Sequence, residues 1–187
     1  MALGITNLRK GTIFLYDRTP WKVVEYSQKV MGRGGSIVNV KIKNLLDGKV
    51  LEKTFKGNES LQPADITQIK AQYLYNDGTS YFFMNNETYE QYELSVEIIG
   101  DDADFLKEGA ELSLLIFNGS AVSAELPKNV WLEVSYTENV VKGDTTSSVQ
   151  KDAKLESGLV VKVPAFINVG DVISVDTSTG EYRERKK

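Results

Sequence analysis

The sequence predicts an all-β protein made of three small β-barrel domains. Three observations carry that expectation. Runs rich in Val, Ile, Tyr and Phe recur at short intervals, and several alternate apolar with polar residues, the period of a half-buried strand. Tight turn signals separate them, at Asp47-Gly48, Asn76-Asp77-Gly78 and Asn118-Gly119. One stretch, Asp101–Glu111, is the best helix candidate in the chain. No Pro/Ser-rich linker divides the 187 residues, so the barrels are expected in a row with short connections. Charge suggests where to cut. Residues 1–64 carry 11 Lys/Arg against 5 Asp/Glu, residues 65–127 carry 2 against 12, and residues 128–187 carry 9 against 9.

In the first block, Thr12–Tyr16 reads as a short strand, and Arg18-Thr19-Pro20 as the turn into Trp21–Tyr26. Val38, Val40 and Ile42 then alternate with Asn39, Lys41 and Lys43. The first set is expected in a core and the second on an exposed face. Asp47-Gly48 leads into Val50–Lys56. Lys41, Lys43, Lys53 and Lys56 have two readings: one shared basic face, or ordinary solubilising lysine on edge strands. A basic block points to a polyanionic partner, with chance variation of a solvated surface as the alternative.

The second block reads as strands at Asp65–Tyr75, Ser80–Met84, Thr88–Leu94, Leu112–Phe117 and Ser120–Leu126. Its aromatic density suits base stacking. Its acid excess repels a phosphate backbone, which favours cross-strand and core packing instead. In the helix candidate, Asp101, Asp102 and Asp104 read as acids at a helix start, not as metal ligands. Phe105 and Leu106 are its apolar contacts and Gly109 its stop. In the third block, Val130–Tyr136, Gly158–Pro164 and Asp171–Asp176 read as strands, and Lys142–Ser148 as a polar loop. Arg183–Lys187 is a basic end, read as a frayed tail or an RNA contact.

Composition excludes several chemistries. There is no cysteine, hence no disulfide framework and no thiolate metal site. There is no histidine, which removes the His-dependent triads and the commonest zinc ligand. No GxxxxGK[ST] segment occurs. The reading is a protein that is not an enzyme, with no cofactor and no metal. The N-terminus has no basic and apolar leader, and no apolar run approaches the roughly 18 residues of a membrane span, so a cytoplasmic protein without membrane contact is expected.

The stretch on which the chain centres is Lys29-Val30-Met31-Gly32-Arg33-Gly34-Gly35-Ser36, between two strand-like runs. Glycine reaches positive φ without steric cost, so this is a hairpin tip with little bulk around Arg33. By pattern alone, such a tip is either a solvated turn or a long cation on a slim stalk, able to enter a crowded, negatively charged place.

Three segments resemble the bacterial elongation factor P family, in the right order and over essentially the whole length. They are Lys41-Ile42-Lys43-Asn44-Leu45-Leu46-Asp47-Gly48; Tyr75-Asn76-Asp77-Gly78 with Met84–Gln91; and Gly158–Asp171 with Asp176–Tyr182. The resemblance implies an N-terminal SH3-like barrel (1–64) followed by two OB-folds (65–127 and 128–187), in an elongated, tRNA-like arrangement. It implies a monomer that binds the ribosome, touching both subunits, beside the P-site peptidyl-tRNA. There it would relieve stalling at consecutive prolines. The alternative is a general single-stranded RNA-binding OB-fold protein. The resemblance places Arg33 at the functional tip, a position that commonly receives a covalent modification from a dedicated enzyme, with Met31, Gly32, Gly34 and Gly35 as the tip loop. Lys29, Lys41, Lys43, Lys53 and Lys56 become candidates to face RNA. Gly143, Asp144 and Thr145 match a loop that approaches the E-site mRNA. The chain departs from the family at Met31, where the lysine-type loop has proline, and at Gly34-Gly35, which do not usually follow a rhamnosylated arginine. Asp152 stands where the family often has proline. The modification of Arg33 is thus open between rhamnose, another group and none.

Overall fold

The structure, a computed structural model, describes residues 3–31, 35–56, 59–139 and 150–186. Its strands lie in three sheets, and helical structure is confined to a few short turns. The first sheet contains β1 (Leu3–Gly4), β2 (Ile13–Tyr16), β3 (Thr19–Met31), β4 (Gly35–Asn44), β5 (Val50–Lys56) and β6 (Ser60–Pro63), in the order β1-β6-β2-β3-β4-β5. The expected alternation in β4 holds. Val38, Val40 and Ile42 are buried with Phe14 and Phe55, whose rings meet edge to face at 6.0 Å. Burying each such side chain contributes about 1.5–3 kcal/mol.

The turn between β2 and β3 lies earlier than the proline suggests. Asp17 and Arg18 form it, with φ of 51° and 62°, and Tyr16 pairs with Thr19. Two left-handed residues match the twist of a tight hairpin, and aspartate tolerates that conformation. Pro20 sits inside β3, opposite Leu15, and its carbonyl accepts a bond from the Leu45 N–H.

The second sheet contains β7 (Thr67–Asn76), β8 (Ser80–Asn85), β9 (Gln91–Ser95), β10 (Glu111–Phe117) and β11 (Ser120–Glu125), in the order β11-β10-β7-β8-β9. Its aromatics pack across strands, as the acid excess argued. Tyr73 and Phe83 are buried with centroids 5.7 Å apart, and Tyr75 stacks on Phe82 at 4.7 Å. Two expectations need correction. Thr88–Glu90 is not strand: the Asn85 carboxamide oxygen accepts from the N–H groups of Glu87 and Thr88, Tyr89 takes φ 60°, and pairing resumes only at Gln91. The helical segment also starts earlier than Asp101. One turn, α1 (Val96–Ile99), runs into a 3₁₀ stretch, Gly100–Phe105. Asp101, Asp102 and Asp104 fall in that 3₁₀ stretch, and Leu106–Ala110 lie outside regular structure, with Gly109 at φ 81°.

The third sheet contains β12 (Asn129–Thr137), β13 (Gln150–Leu155), β14 (Val160–Pro164), β15 (Val172–Asp176) and β16 (Tyr182–Arg185), in the order β14-β13-β12-β15-β16. The basic end is not a frayed tail over its described part. Tyr182–Arg185 pairs with β15, Arg183 bonds Asp176 at 2.8 Å, and Arg185 lies over the Phe166 ring.

The chain divides into two compact units. One is Met1–Ile69 with Leu114–Ser123; the other is Lys70–Ser113 with Ala124–Lys187. In the first, Leu115 and Val122 of the β10–β11 hairpin bury against Leu45, with Ile13, Ile66 and Phe117 at the margin. In the second, Phe105 enters the core of the third sheet with Val130, Leu132 and Ile173, and Lys107 reaches Glu156 at 3.1 Å. No helix among the described residues is long and apolar enough to cross a membrane.

Candidate functional site

The β3–β4 hairpin carries the candidate site. Its strands pair from Trp21↔Asn44 to Met31↔Gly35, with a bulge between Val23 and Glu25. β2 pairs with β3 only as far as Lys22, and two further backbone bonds add Val23, whose carbonyl accepts from the Gly11 N–H and whose N–H donates to the Thr12 carbonyl. On the other side, β5 accompanies β4 only as far as Ile37↔Lys56. Beyond those points, among the described residues, the hairpin is a two-stranded ribbon. Residues 32–34 connect its ends in sequence. Gly32, Arg33 and Gly34 lie outside the described residues, as do the third-block candidates Gly143, Asp144 and Thr145 and the whole of the polar loop Lys142–Ser148 that holds them. Met31 and Gly35 form the last pair of the stem, and Lys29 pairs with Ile37.

Register sorts the lysines. Residues directly opposite each other in a sheet share a face, and neighbours along a strand alternate. Val38, Val40 and Ile42 point to the core. Lys41, opposite Glu25 and Glu52, therefore points outward, as do Lys43 opposite Lys22 and Lys56 opposite Ile37. Lys53 pairs with core-facing Val40 and turns the other way. Its ammonium donates to the Tyr16 hydroxyl and stands 4.4 Å over the Tyr16 ring. The Tyr16 hydroxyl bond, more than any other contact, raises the Lys53 pKa. The four lysines thus do not share one basic face.

The outward face is also less basic than a lysine count suggests. Lys41 Nζ lies 3.3 Å from Glu25 Oε1, with Glu52 on its other side. Thr54 Oγ1 donates to Asn39 Oδ1 at 2.7 Å beside them. The middle of the face is a mixed polar strip, with Lys22 and Lys43 towards the barrel end and Lys56 towards the ribbon.

On the core side of β3, a short series of polar contacts escaped the sequence reading. The Tyr26 hydroxyl donates to Gln28 Oε1 at 2.8 Å. Arg9 Nη1 lies 3.4 Å from the same hydroxyl, and the Arg9 guanidinium is 5.3 Å from the Tyr26 ring centroid. Arg9 is 17 positions from Tyr26, and no local pattern joins them. Among the described residues, no group of three or more Asp or Glu is placed to hold a metal ion.

Three family models match the chain in order. The elongation factor P KOW-like domain covers residues 5–61, the elongation factor P OB domain residues 66–124, and the elongation factor P C-terminal domain residues 130–185. The chain belongs to the elongation factor P family. Elongation factor P of Thermotoga maritima is 46% identical over 180 residues, which cover 96% of this chain and 97% of that protein. The protein of that name from Caldicellulosiruptor saccharolyticus is 45% identical over 179 residues, with 96% and 97% covered. The one from Aquifex aeolicus is 42% identical over 185 residues, with 99% and 96% covered. Elongation factor P is a translation elongation factor, and these matches extend across all three sheets. The hairpin described above falls within its KOW-like domain.

Proposed function

We propose that this protein binds the ribosome beside the P-site peptidyl-tRNA and stimulates peptide-bond formation where consecutive prolines stall it. It works as three modules, 1–64, 65–127 and 128–187, in the cytoplasm and as a monomer. Arg33 is the working end. One observation carries this reading: in a chain of this family, the paired stem runs to Met31↔Gly35 and leaves Arg33 as the middle residue of the connection. A paired stem carries the tip beyond the last strand that flanks it, and a Gly-Arg-Gly tip is a slim one.

The chemistry asked of such a factor is small. Proline constrains both the peptidyl chain and the attacking amine. A factor that holds the tRNA end in place lowers the entropic part of the barrier without supplying an acid or a base. About 1.4 kcal/mol is a tenfold change in rate. A guanidinium stays charged, forks onto phosphate oxygens and stacks on bases, which suits it to gripping a tRNA terminus. A modifying enzyme acting on Arg33 would extend the reach of the same tip. Gly143, Asp144 and Thr145 would lie near the E-site mRNA.

The test is a purified translation system reading a Pro-Pro-Pro message. Addition of the protein is expected to release the stall, while a message without the motif is unaffected. Release of neither, together with equal affinity for ribosomes and for naked single-stranded RNA, would favour a general RNA-binding protein instead.

A further inference from the structure

We infer that Arg9, Tyr26 and Gln28 form a brace that sets the direction of the β3–β4 ribbon, which makes them positioning residues for the reaction. The inference rests on the function proposed above. The ribbon has a mechanical problem. Past Val23 it has lost β2, and past Ile37 it has lost β5. Two-stranded ribbons twist more than wide sheets and are marginal by themselves. β5 still flanks the hairpin opposite Tyr26 and Gln28 and ends at Lys29↔Ile37, so the two-stranded part runs from Lys29 to Met31, roughly 7 Å at about 3.4 Å per residue. Over that lever, a slack of about 10° at its base displaces the far end by about 1 Å. A displacement of about 1 Å is enough to cost on the order of 100-fold where rate depends on approach geometry. A factor that acts by placing a tRNA end cannot tolerate that slack.

The contacts around Tyr26 are arranged to remove it. The ring packs against the first core while the hydroxyl stands outside it. That hydroxyl donates up the strand to Gln28, and Arg9 meets both its oxygen and its ring. Arg9 is itself fixed to the barrel. Its Nη1 donates to the Leu8 carbonyl at 2.6 Å, and its backbone N–H to Thr12 Oγ1 at 3.0 Å. Leu8 is fully buried. The series therefore runs from an anchored residue of the core, across the flank of β3, to Gln28, the residue just before β5 ends and the ribbon becomes two-stranded. It lies largely in solvent, where such contacts add little to overall stability. Its effect is to select one angle, not to hold the barrel together.

The test uses Arg9→Met with Tyr26→Phe, which keeps the ring and the stem and removes the polar brace. The chain has no cysteine, so spin labels go only where they are introduced. Ser36→Cys on the ribbon and Gln62→Cys on β6 report the angle as a distance distribution. In the braced protein that distribution is expected to be narrow, and in the double variant broad, with the melting temperature within about 3 °C. In unlabelled protein, the maximal rate on a Pro-Pro-Pro message should fall about fivefold or more at saturating factor, while the concentration giving half-maximal effect stays the same. An unchanged distribution overturns the brace. A broadened distribution with an unchanged maximal rate overturns its positioning role. Loss of rescue in Arg33→Ala, run in parallel, separates either failure from a failure of the proposed function itself. Arg9→Lys, which keeps the cation but not its fork, is expected to recover part of the rate.

Discussion

Asp176 is nearly buried, and its carboxylate accepts four hydrogen bonds. They come from the Ser178 hydroxyl and N–H, the Thr179 N–H, and Arg183 Nη2. The Ser178 hydroxyl first, and Arg183 next, hold this carboxyl far below the usual carboxylate range. A depressed folded-state pKa means that the stabilisation is complete above the unfolded value of about 3.9 and is lost as pH falls towards the folded value. Asp176→Asn should therefore lower the melting temperature by a constant amount from about pH 7 to pH 5, and the gap should begin to narrow below about pH 4 and go on narrowing as the pH falls further. Differential scanning calorimetry across that range checks it; a gap independent of pH would remove the carboxylate from the loop's stability. Lys53 gives a second residue-scale lesson. Its place in a strand after the Asp47-Gly48 turn was legible, but its face depended on the partner strand: only the register Val40↔Lys53 turns it towards Tyr16. A single strand read alone does not carry that information.

Strands were the legible elements. β4 follows from alternation and β5 from the Asp47-Gly48 turn before it, and the turns at Asp77-Gly78 and Asn118-Gly119 fall where side-chain acceptors and positive φ predict. β13 was missed, because Gln150–Leu155 reads as polar until Ala153 and Leu155 are seen to be buried. The helical segment was found but shifted, since three aspartates imitate a helix start while tolerating a 3₁₀ turn equally well. Its function became visible only in the fold, where Phe105 fills a position in the core of the third sheet. Phe105→Ala is expected to destabilise the second unit by about 3 kcal/mol or more, read as a lower denaturant midpoint at unchanged slope. A change under about 0.5 kcal/mol would show that the aromatic ring does not hold this turn to the barrel. The candidate site was legible in outline, as a glycine hairpin carrying one arginine, whereas the contacts of Arg9 with Tyr26 join residues too distant in sequence for any pattern to link.

At the scale of the molecule, charge and partner have to agree. The net charge is −4, and the acidic excess falls in residues 65–127. An acidic protein binds free polyanions poorly, so affinity should come from a shaped ribosomal site. Affinity for naked single-stranded RNA is expected to be weak and to collapse with added salt, while ribosome affinity falls much less steeply; filter binding against salt concentration measures both slopes. Equal slopes and similar affinities would contradict a ribosome-specific factor. The measurement closest to the central claim is the rate of peptide-bond formation on Pro-Pro-Pro ribosomes with the wild-type protein and with Arg33→Ala. The account predicts acceleration by the first and none by the second, with the variant folded and still bound to ribosomes. Equal acceleration by both would contradict it.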